Sequence, residues 1–223
     1  MLVLSSLVRP GDICVDVGAA GGTYLYLLSR LVGESGRVYA FEPRAGSYRF
    51  LERMCRRLRL RNVSVHRLAL AESPRPEPML MPKRSGIPFT TRAFLRRGLD
   101  SHTSGYYPEF TSSRQFLIQA TTLDRFVEEN RVPRVDFVKC DVEGAELWAL
   151  QGAAATIGAH RPILLCEIED RHLGKYGLSS SDLMRWLRQY TYSPFAFRSG
   201  RLSEVGGVTP DENNYLFLPR SPS

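Results

Sequence analysis

Short apolar segments alternate with helical patterns along most of this chain, and this alternation restricts the fold more than any other feature of the sequence. Five segments have the length and residue types of strands, namely Ile13–Val17, Arg37–Phe41, Val63–Arg67, Val135–Asp141 and Ile163–Ile168. Helical spacing of apolar residues predicts helices over Thr23–Val32, Ala45–Leu60, Thr122–Glu129, Gly144–Ala154 and Ser180–Tyr190. Strands that are apolar throughout are typical of parallel sheets covered on both faces. The sequence therefore predicts an α/β fold, with a mostly parallel sheet between two helical layers.

Two parts of the chain depart from this pattern. Two late apolar runs, Phe195–Arg198 and Tyr215–Leu218, are separated by a link rich in Gly, Asp and Asn, which predicts a C-terminal antiparallel hairpin. Residues 72–120 contain long stretches rich in Pro, Ser, Gly and aromatic residues, without a clear helix or strand pattern. Long irregular insertions in compact domains are usually lids or binding loops. We therefore expect one domain over residues 1–223, with a lid or substrate-loop insertion at about 72–120.

Length and composition exclude several classes of protein. With 223 residues, 43% of them hydrophobic, the chain is long enough for one α/β domain with a full core. No apolar run reaches the roughly 20 residues that span a bilayer. The start of the chain lacks the basic segment of a signal peptide. The four cysteines have no C-x-x-C spacing, so we expect them to be core residues of a cytoplasmic protein.

Arginine provides most of the positive charge. The formal net charge is +7, and 27 of the 30 basic residues are arginine. They are densest in RFLERMCRRLRLR, Arg49–Arg61, where apolar residues on helical spacing leave the arginines on the other face. Such a face is most often simply solvated, and the alternative is a patch for nucleic acid or acidic lipid. We favour the solvated face and do not expect a nucleic-acid partner.

The stretch CVDVGAAGGTYLYLLSRL, Cys14–Leu31, joins a predicted strand to a helix through a glycine-rich turn. Ligands of open α/β sheets bind beyond the carboxyl ends of the strands, where a helix N-terminus presents free N–H groups. Gly18 allows a tight turn there, and Gly21 and Gly22 let the helix begin close to a ligand. The turn therefore predicts a nucleotide-type cofactor site, without identifying the cofactor.

Two acidic residues narrow the choice of cofactor. Asp16 precedes the turn, where a carboxylate repels the pyrophosphate of NAD but suits the ammonium and sulfonium groups of S-adenosylmethionine. Glu42 ends the second strand 20 residues after Gly22, a position from which an acid can bind both hydroxyls of a ribose. Each has a structural alternative, since Asp16 can cap the amides of the turn and Glu42 can be a solvated loop residue. Together they favour S-adenosylmethionine over NAD.

Several motifs resemble the FkbM family of S-adenosylmethionine-dependent methyltransferases. They are VDVGAAGG at 15–22, FEP at 41–43 and KCDVEGAE at 139–146, and the resemblance extends over residues 10 to 170. It implies a Rossmann-like class I methyltransferase fold. Two departures stand out: Ala20 replaces the asparagine usual in the family's turn, and only a short segment precedes the first strand.

The resemblance also implies where the cofactor binds. The implied cofactor-binding residues are Asp16, Gly18, Ala19, Gly22, Glu42, Pro43, Ala69, Leu70 and Asp141. By this resemblance the strand tip and the glycine turn hold the methionine end, and Glu42 holds the ribose. Ala69 and Leu70, after the third strand, would border the adenine ring.

Polar residues near the same end of the sheet are candidates for the chemistry. Methyl transfer needs alignment with the sulfonium, and a hydroxyl acceptor must also lose its proton. The candidate catalytic residues are Asp141, Glu143, Glu167 and His172. Strand polarity places Asp141 at the carboxyl end, so it is the first choice for aligning or deprotonating the acceptor. As an alternative, Asp141 binds a divalent metal such as Mg²⁺ together with Glu143 or Glu167.

Three neighbouring residues have simpler expected roles. Lys139, in the middle of a strand, would need a carboxylate partner if it is buried. Glu146 begins a predicted helix and would favour its dipole. His172 is either a base or, more simply, a surface loop residue.

The resemblance implies O-methylation of a hydroxyl on a sugar, a glycolipid or a polyketide-type metabolite. The expected partner is therefore a small hydroxylated acceptor. Two other functions remain open. The arginines would suit a nucleic-acid methyltransferase, and the replacement at Ala20 would suit a non-catalytic module that binds S-adenosylmethionine.

Overall fold

A computed structural model of the chain describes residues 4–84, 87–88, 93–97, 112–198, 201–209 and 211–220. The helices are α1 Leu4–Leu7, α2 Thr23–Val32, α3 Ala45–Arg57, α4 Leu123–Glu129, α5 Glu146–Gln151, α6 Ala154–His160, α7 Asp170–Leu173 and α8 Ser180–Arg188, with a 3₁₀ turn at Gly174–Tyr176. The strands are β1 Ile13–Val17, β2 Arg37–Phe41, β3 Val63–His66, β4 Ala69–Leu70, β5 Arg75–Arg84, β6 Ile87–Pro88, β7 Phe94–Leu95, β8 Ser112–Thr121, β9 Phe137–Cys140, β10 Ile163–Glu167, β11 Tyr192–Arg198, β12 Arg201–Glu204 and β13 Asn214–Pro219.

The central sheet has eight strands in the order β12-β11-β13-β10-β9-β1-β2-β3. The strands from β3 to β10 in this order are parallel, and β13 runs antiparallel to both β10 and β11. This confirms the predicted α/β class, the mostly parallel sheet and the C-terminal antiparallel hairpin. Strand β12 adds an unpredicted edge to this hairpin by pairing with β11.

Helices cover both faces of the central sheet. Successive residues of a strand point to opposite faces, so neighbours in β1 pack against different helices. Val15 of β1 lies in one core cluster with Phe126 of α4 and Leu183 of α8. Cys14 lies in another cluster, together with Leu28 of α2. The even-numbered residues of β1 therefore face α2.

The predicted helix Gly144–Ala154 corresponds to α5, which ends at Gln151, and a helix that was not predicted, α6, begins at Ala154 just after Gly152. A Cβ atom at Gly152 would lie 1.9 Å from the carbonyl oxygen of Ala71. The chain leading into the insertion therefore passes too close to Gly152 for any side chain. Since glycine is also a poor helix former, α5 ends at this crossing.

The described part of the insertion contains a second sheet, where the sequence predicts an irregular segment. Strand β5 pairs antiparallel with β8, and β4, β6 and β7 complete this sheet. The prolines at 76, 78 and 82 conceal β5 in the sequence, because proline normally opposes a strand. All three have even numbers, so their backbone groups point to the same side of β5. The carbonyl oxygen of Pro78 accepts from the N–H of Arg96 at 2.8 Å, which shows that this side faces β7. Their missing N–H groups therefore face away from β8 and leave the main pairing intact.

The single domain over residues 1–223 and the lid at about 72–120 stay predictions. Residues 85–86, 89–92 and 98–111 of the insertion lie outside the described residues. Among the helices that are described, none is long and apolar enough to cross a membrane.

Candidate active site

The glycine turn after β1 is held against the end of β2. The N–H groups of Gly18 and Ala19 both donate to the carbonyl oxygen of Phe41, each at 3.0 Å. Gly18 has a φ of 81°, and a Cβ atom there would lie 2.0 Å from the carbonyl oxygen of Asp141. Glycine alone tolerates both this backbone conformation and this close approach. Gly18 therefore makes the tight turn predicted for it and brings the ends of β1 and β9 together.

Gly22 has a packing role that the sequence did not reveal. Its φ is 82°, and a Cβ atom there would lie 2.6 Å from the side chain of Met54 and 2.8 Å from that of Leu51. The start of α2 therefore rests directly on α3. At Gly21, by contrast, a Cβ atom would have no neighbour within 4 Å among the described residues, so Gly21 is the open glycine of the turn.

Glu42, predicted to hold the ribose, forms a buried ion pair with Arg44. Its carboxylate Oε1 accepts from Nε of Arg44 at 2.7 Å and from the backbone N–H of Arg44 at 2.9 Å. Oε2 accepts from Nη2 of Arg44 at 3.0 Å and from the N–H of Ala20 at 2.9 Å. A carboxylate has about four acceptor sites, so these contacts use its full capacity. The ribose hydroxyls must therefore share Glu42 with Arg44 or displace it.

Asp16 is completely buried, and neither of its carboxylate oxygens has a hydrogen-bond partner among the described residues. Burial raises its pKa to about 6, although the ammonium of Lys139 and the nearby amide of Leu25 act in the opposite direction. Lys139 is its register partner on β9. Asp16 therefore places a buried carboxyl group directly behind the glycine turn, with Lys139 as its neighbour on β9.

Lys139 is buried and ion-paired, as expected for a lysine in the middle of a strand. Its Nζ donates to Oδ2 of Asp141 at 2.8 Å and lies 4.9 Å from the centre of the Tyr24 ring. Burial acts to lower the pKa of Lys139, but the carboxylates of Asp16 and Asp141 outweigh burial and raise it. Lys139 therefore remains a cation, with Asp16 on the neighbouring strand β1 and Asp141 two residues further along its own segment.

Glu167 lies beside Asp141. Cys140 and Cys166 are register partners, so Asp141 and Glu167 follow β9 and end β10 at the same edge of the sheet. Burial raises the pKa of Glu167, and the charge of Asp141 and a hydrogen bond between the two carboxyl groups raise it further. Glu167 therefore holds a proton more readily than an ordinary glutamate does.

Glu143 and His172 contact each other next to this group. Nδ1 of His172 lies 3.3 Å from a carboxylate oxygen of Glu143. His172 is buried in the short helix α7, so the expectation of a surface loop histidine is wrong. A Cβ atom at Gly144 would lie 2.3 Å from the carbonyl oxygen of His172, which shows how closely α7 rests on this turn. The ε-ammonium of Lys175 also donates to the carbonyl oxygen of Glu143 at 2.8 Å.

Glu146 holds the turn between β9 and α5 rather than merely favouring the dipole of that helix. Its Oε1 accepts from the N–H groups of Val142 and Gly144, each at 3.0 Å. The side chain is buried, and burial raises its pKa to about 7 against the effect of these hydrogen bonds. The acids of the KCDVEGAE motif thus divide between the cavity and the scaffold behind it.

These elements enclose a cavity at the carboxyl ends of β1, β2, β9 and β10. The predicted site residues that line it are Gly18, Glu42, Pro43, Ala69, Leu70, Asp141, Glu143 and Glu167. The predicted residues that are not part of its lining are Asp16, Ala19, Gly22 and His172. Lining residues that sequence reasoning missed include Ala20, Arg44, Leu68, Met79, Ala93 and Leu95. The last three belong to the insertion, and no local motif identifies them.

An ion-pair cluster fastens the insertion beside this cavity. Arg97 pairs with Glu72 at 2.7 Å and with the buried Glu77. Its guanidinium also lies 4.3 Å from the centre of the Trp148 ring on α5. The part of the insertion that lines the cavity is therefore attached to α5.

The donors near the cavity do not form an evident metal site. Among the described residues, no three side chains of His, Cys, Asp or Glu are arranged to bind a metal ion. One oxygen of Asp141 already accepts from the Lys139 ammonium, a cation that competes with a metal at the same position.

Comparisons with known proteins concern the family and the fold of this chain. Residues 16–194 match the family model described as the methyltransferase FkbM domain. The solved structure of a methyltransferase FkbM from Methylobacillus flagellatus KT is 19% identical, with a TM-score of 0.57 over 95% of this chain and 48% of that one. This chain thus spans about half the length of that protein. A putative rRNA methylase from Clostridium thermocellum is 13% identical, with a TM-score of 0.50 over 96% of this chain and 89% of that one.

No curated protein sequence is significantly similar to the chain. At identities below one fifth, the likeness to the solved structures shows the fold, which is that of the class I methyltransferases.

Proposed function

Because this chain belongs to the FkbM family of S-adenosylmethionine-dependent methyltransferases, we propose that it methylates a hydroxyl oxygen of a small acceptor. The proposed acceptor is a sugar, a glycolipid or a polyketide-type metabolite, and the product is a methyl ether. The observation that supports this reaction best is the pair of Lys139 and Asp141, which places a carboxyl group that Lys139 orients at the cavity.

The residues around the cavity fit S-adenosylmethionine. Gly18 lets the turn pass close to Asp141 at the cavity, and Asp16 provides negative charge behind the turn. We propose that Glu42 binds the ribose hydroxyls and that Ala69 and Leu70 contact the adenine ring. When bound, the cofactor supplies a methyl group already activated on a sulfonium.

In this proposal Asp141 acts directly on the acceptor. Its side chain is 31% exposed, compared with 4% for that of Lys139, so the carboxylate is the accessible member of the pair. The hydroxyl would donate a hydrogen bond to Asp141 and lose its proton to it, while its oxygen takes the methyl group, the methyl–sulfur bond breaks and the demethylated cofactor is left. Lys139 orients Asp141 through its 2.8 Å hydrogen bond, and Glu167 lies beside Asp141 at the end of β10. General-base catalysis of this kind contributes typically about 10²–10⁴-fold to the rate.

Product analysis tests the reaction. The protein is incubated with methyl-labelled S-adenosylmethionine and extracts containing sugars, glycolipids and polyketide-type metabolites, and products are examined by mass spectrometry. We expect one labelled methyl ether whose formation is lost in Asp141→Asn. A label that appears on carbon or nitrogen would contradict O-methylation.

The ion pair between Glu42 and Arg44 favours a second candidate, a module that binds the cofactor without turnover. Because the pair uses all the acceptor sites of Glu42, it opposes the ribose and favours a weak or regulated cofactor site. Calorimetry and product analysis together distinguish the methyltransferase from the binding module. In either case S-adenosylmethionine and its demethylated product should bind, and NAD should not. Binding without any labelled product from any acceptor pool supports the module, and NAD binding of similar strength contradicts both.

A further inference from the structure

Almost all of the net positive charge lies in one short part of the chain, around helices α2 and α3. Residues 23–61 contain nine arginines and three glutamates, a net charge of +6, whereas the whole chain carries +7. One arginine and one glutamate of this part, Arg44 and Glu42, neutralise each other in the ion pair beside the cavity. The net charge of +6 is therefore carried by the other charged residues of this part.

The arginines of this region are exposed and lack acidic partners. The exposed residues in question, which we call the arginine face, are Arg30, Arg37, Arg49, Arg53, Arg56, Arg57, Arg59 and Arg61. Within the described part of the chain, none of them forms an ion pair. The nearest acid along α3, Glu52, is hydrogen-bonded to Tyr48. So many like charges together create a positive potential at this surface, which favours non-specific binding to an anionic partner such as nucleic acid or a membrane.

Large apolar side chains project from the same surface, which distinguishes it from a merely solvated face. Phe50 and Leu58 on α3 and its C-terminal end are 48% and 49% exposed, and Tyr26 on α2 is 44% exposed. They are three of the five large hydrophobic side chains that are exposed in the described part of the chain. Arg30 and Leu58 line one depression. The apolar side chains therefore stand among the arginines rather than apart from them.

We propose that the arginine face, with Tyr26, Phe50 and Leu58, binds the surface of an anionic lipid membrane. Arginines attract the negative headgroups, and exposed aromatic and aliphatic side chains enter the boundary between headgroups and acyl chains. A bilayer uses both kinds of group at once. Nucleic acid would use the arginines and stack on the aromatic rings, but it offers little to the aliphatic side chain of Leu58.

The position of Phe50 relates this surface to the candidate active site. Phe50 lines a depression together with Ala20 and Gly21 of the glycine turn and Met81 of the insertion. A membrane bound to the arginine face would therefore lie beside the turn that leads into the cavity. Membrane binding itself does not depend on the proposed methyl transfer.

Vesicle sedimentation without cofactor tests the proposal. We expect the full chain to bind vesicles containing phosphatidylglycerol, to bind pure phosphatidylcholine vesicles much less, and to dissociate as salt is raised. The double variant Arg53→Gln/Arg57→Gln should weaken binding to anionic vesicles by about tenfold or more. The matched control is Arg185→Gln/Arg188→Gln, which removes the same charge from exposed positions on α8. It should retain nearly all of the binding.

A second variant reports insertion directly. Phe50→Trp should show a blue shift of its fluorescence when anionic vesicles are added, and no shift with neutral ones. The proposal is overturned if anionic vesicles do not bind, or if both double variants lose binding equally. It is also overturned if the arginine face instead binds single-stranded RNA, with vesicles remaining unbound at the same salt.

Discussion

The guanidinium of Arg44 and the carboxylate of Glu42 form a two-point ion pair inside the candidate cofactor site, with Nε–Oε1 and Nη2–Oε2 distances of 2.7 and 3.0 Å. Both side chains are almost completely buried. The acid expected to bind the ribose is thus already bound by a residue two positions further along the chain. Cofactor affinity therefore depends on a competition between Arg44 and the ribose hydroxyls.

Replacing Arg44 separates its two effects on the protein. In Arg44→Met, Glu42 regains acceptor sites, so we expect tighter binding of S-adenosylmethionine by about 1 kcal/mol, the scale of one hydrogen bond. The unfolding free energy of the free protein should fall by about 3 kcal/mol, because a buried charge loses its partner. Calorimetry and urea unfolding measure the two quantities. Weaker cofactor binding in Arg44→Met would show instead that Arg44 holds Glu42 in its working position.

Replacing Glu42 tests the ribose contact. Glu42→Ala should weaken cofactor binding by about 1–3 kcal/mol, the scale of hydrogen bonds to a charged group. Glu42→Gln should cost less, because its amide oxygen still accepts from a hydroxyl or from the N–H of Ala20. Calorimetric titration of both variants checks this order. Unchanged affinity in both would place Glu42 outside the cofactor site.

Replacing Asp141 separates the chemical step from cofactor binding. Asp141→Asn is nearly isosteric, so the fold and most of the cofactor affinity should be kept. The loss of charge and basicity should lower turnover by about 10²-fold or more, the lower range for a general base. Turnover with labelled cofactor is the measurement. Normal turnover would direct attention to Glu167.

The same assay decides whether a divalent metal takes part. If Asp141 acts as base, a chelator should leave the wild type active and Mg²⁺ should not restore Asp141→Asn. Silencing of the wild type by a chelator and rescue by Mg²⁺ would make Asp141 a metal ligand.

The buried carboxylate of Asp16 should make stability depend on pH. Its pKa is raised from 3.8 to about 6, so the folded state holds a proton that the unfolded state has already lost. Stability from this group is therefore lost as the pH rises from about 4 through 6. The loss is about 3 kcal/mol for a shift of about two pKa units.

Asp16→Asn removes this dependence. Its unfolding free energy in urea should exceed that of the wild type at pH 8 and approach it near pH 4. An equal difference at both values would show that Asp16 titrates normally in the folded protein. Cofactor binding should weaken in the same variant, because the negative charge behind the turn is removed.

The sequence by itself determined the class of fold and the order of the five parallel strands along the chain. The strand Ile13–Val17, the turn at Gly18 and the helix Thr23–Val32 are recorded locally, in apolar periodicity and in a glycine that must adopt a positive φ. The ends of parallel strands meet at one edge, so Glu42 and Asp141 were also predictable neighbours of the cavity.

The tertiary structure alone decided what those side chains do. Arg44 occupies the acceptor sites of Glu42, and Met54 packs so close to Gly22 that no side chain fits there. No spacing rule specifies either contact. Strand β5 is hidden by its prolines until β8, about 40 residues later, shows which side of it is paired. Such features depend on burial and on which distant groups meet. Local sequence patterns record the conformational preference of each residue. They do not record which distant side chain will contact that residue in the folded protein.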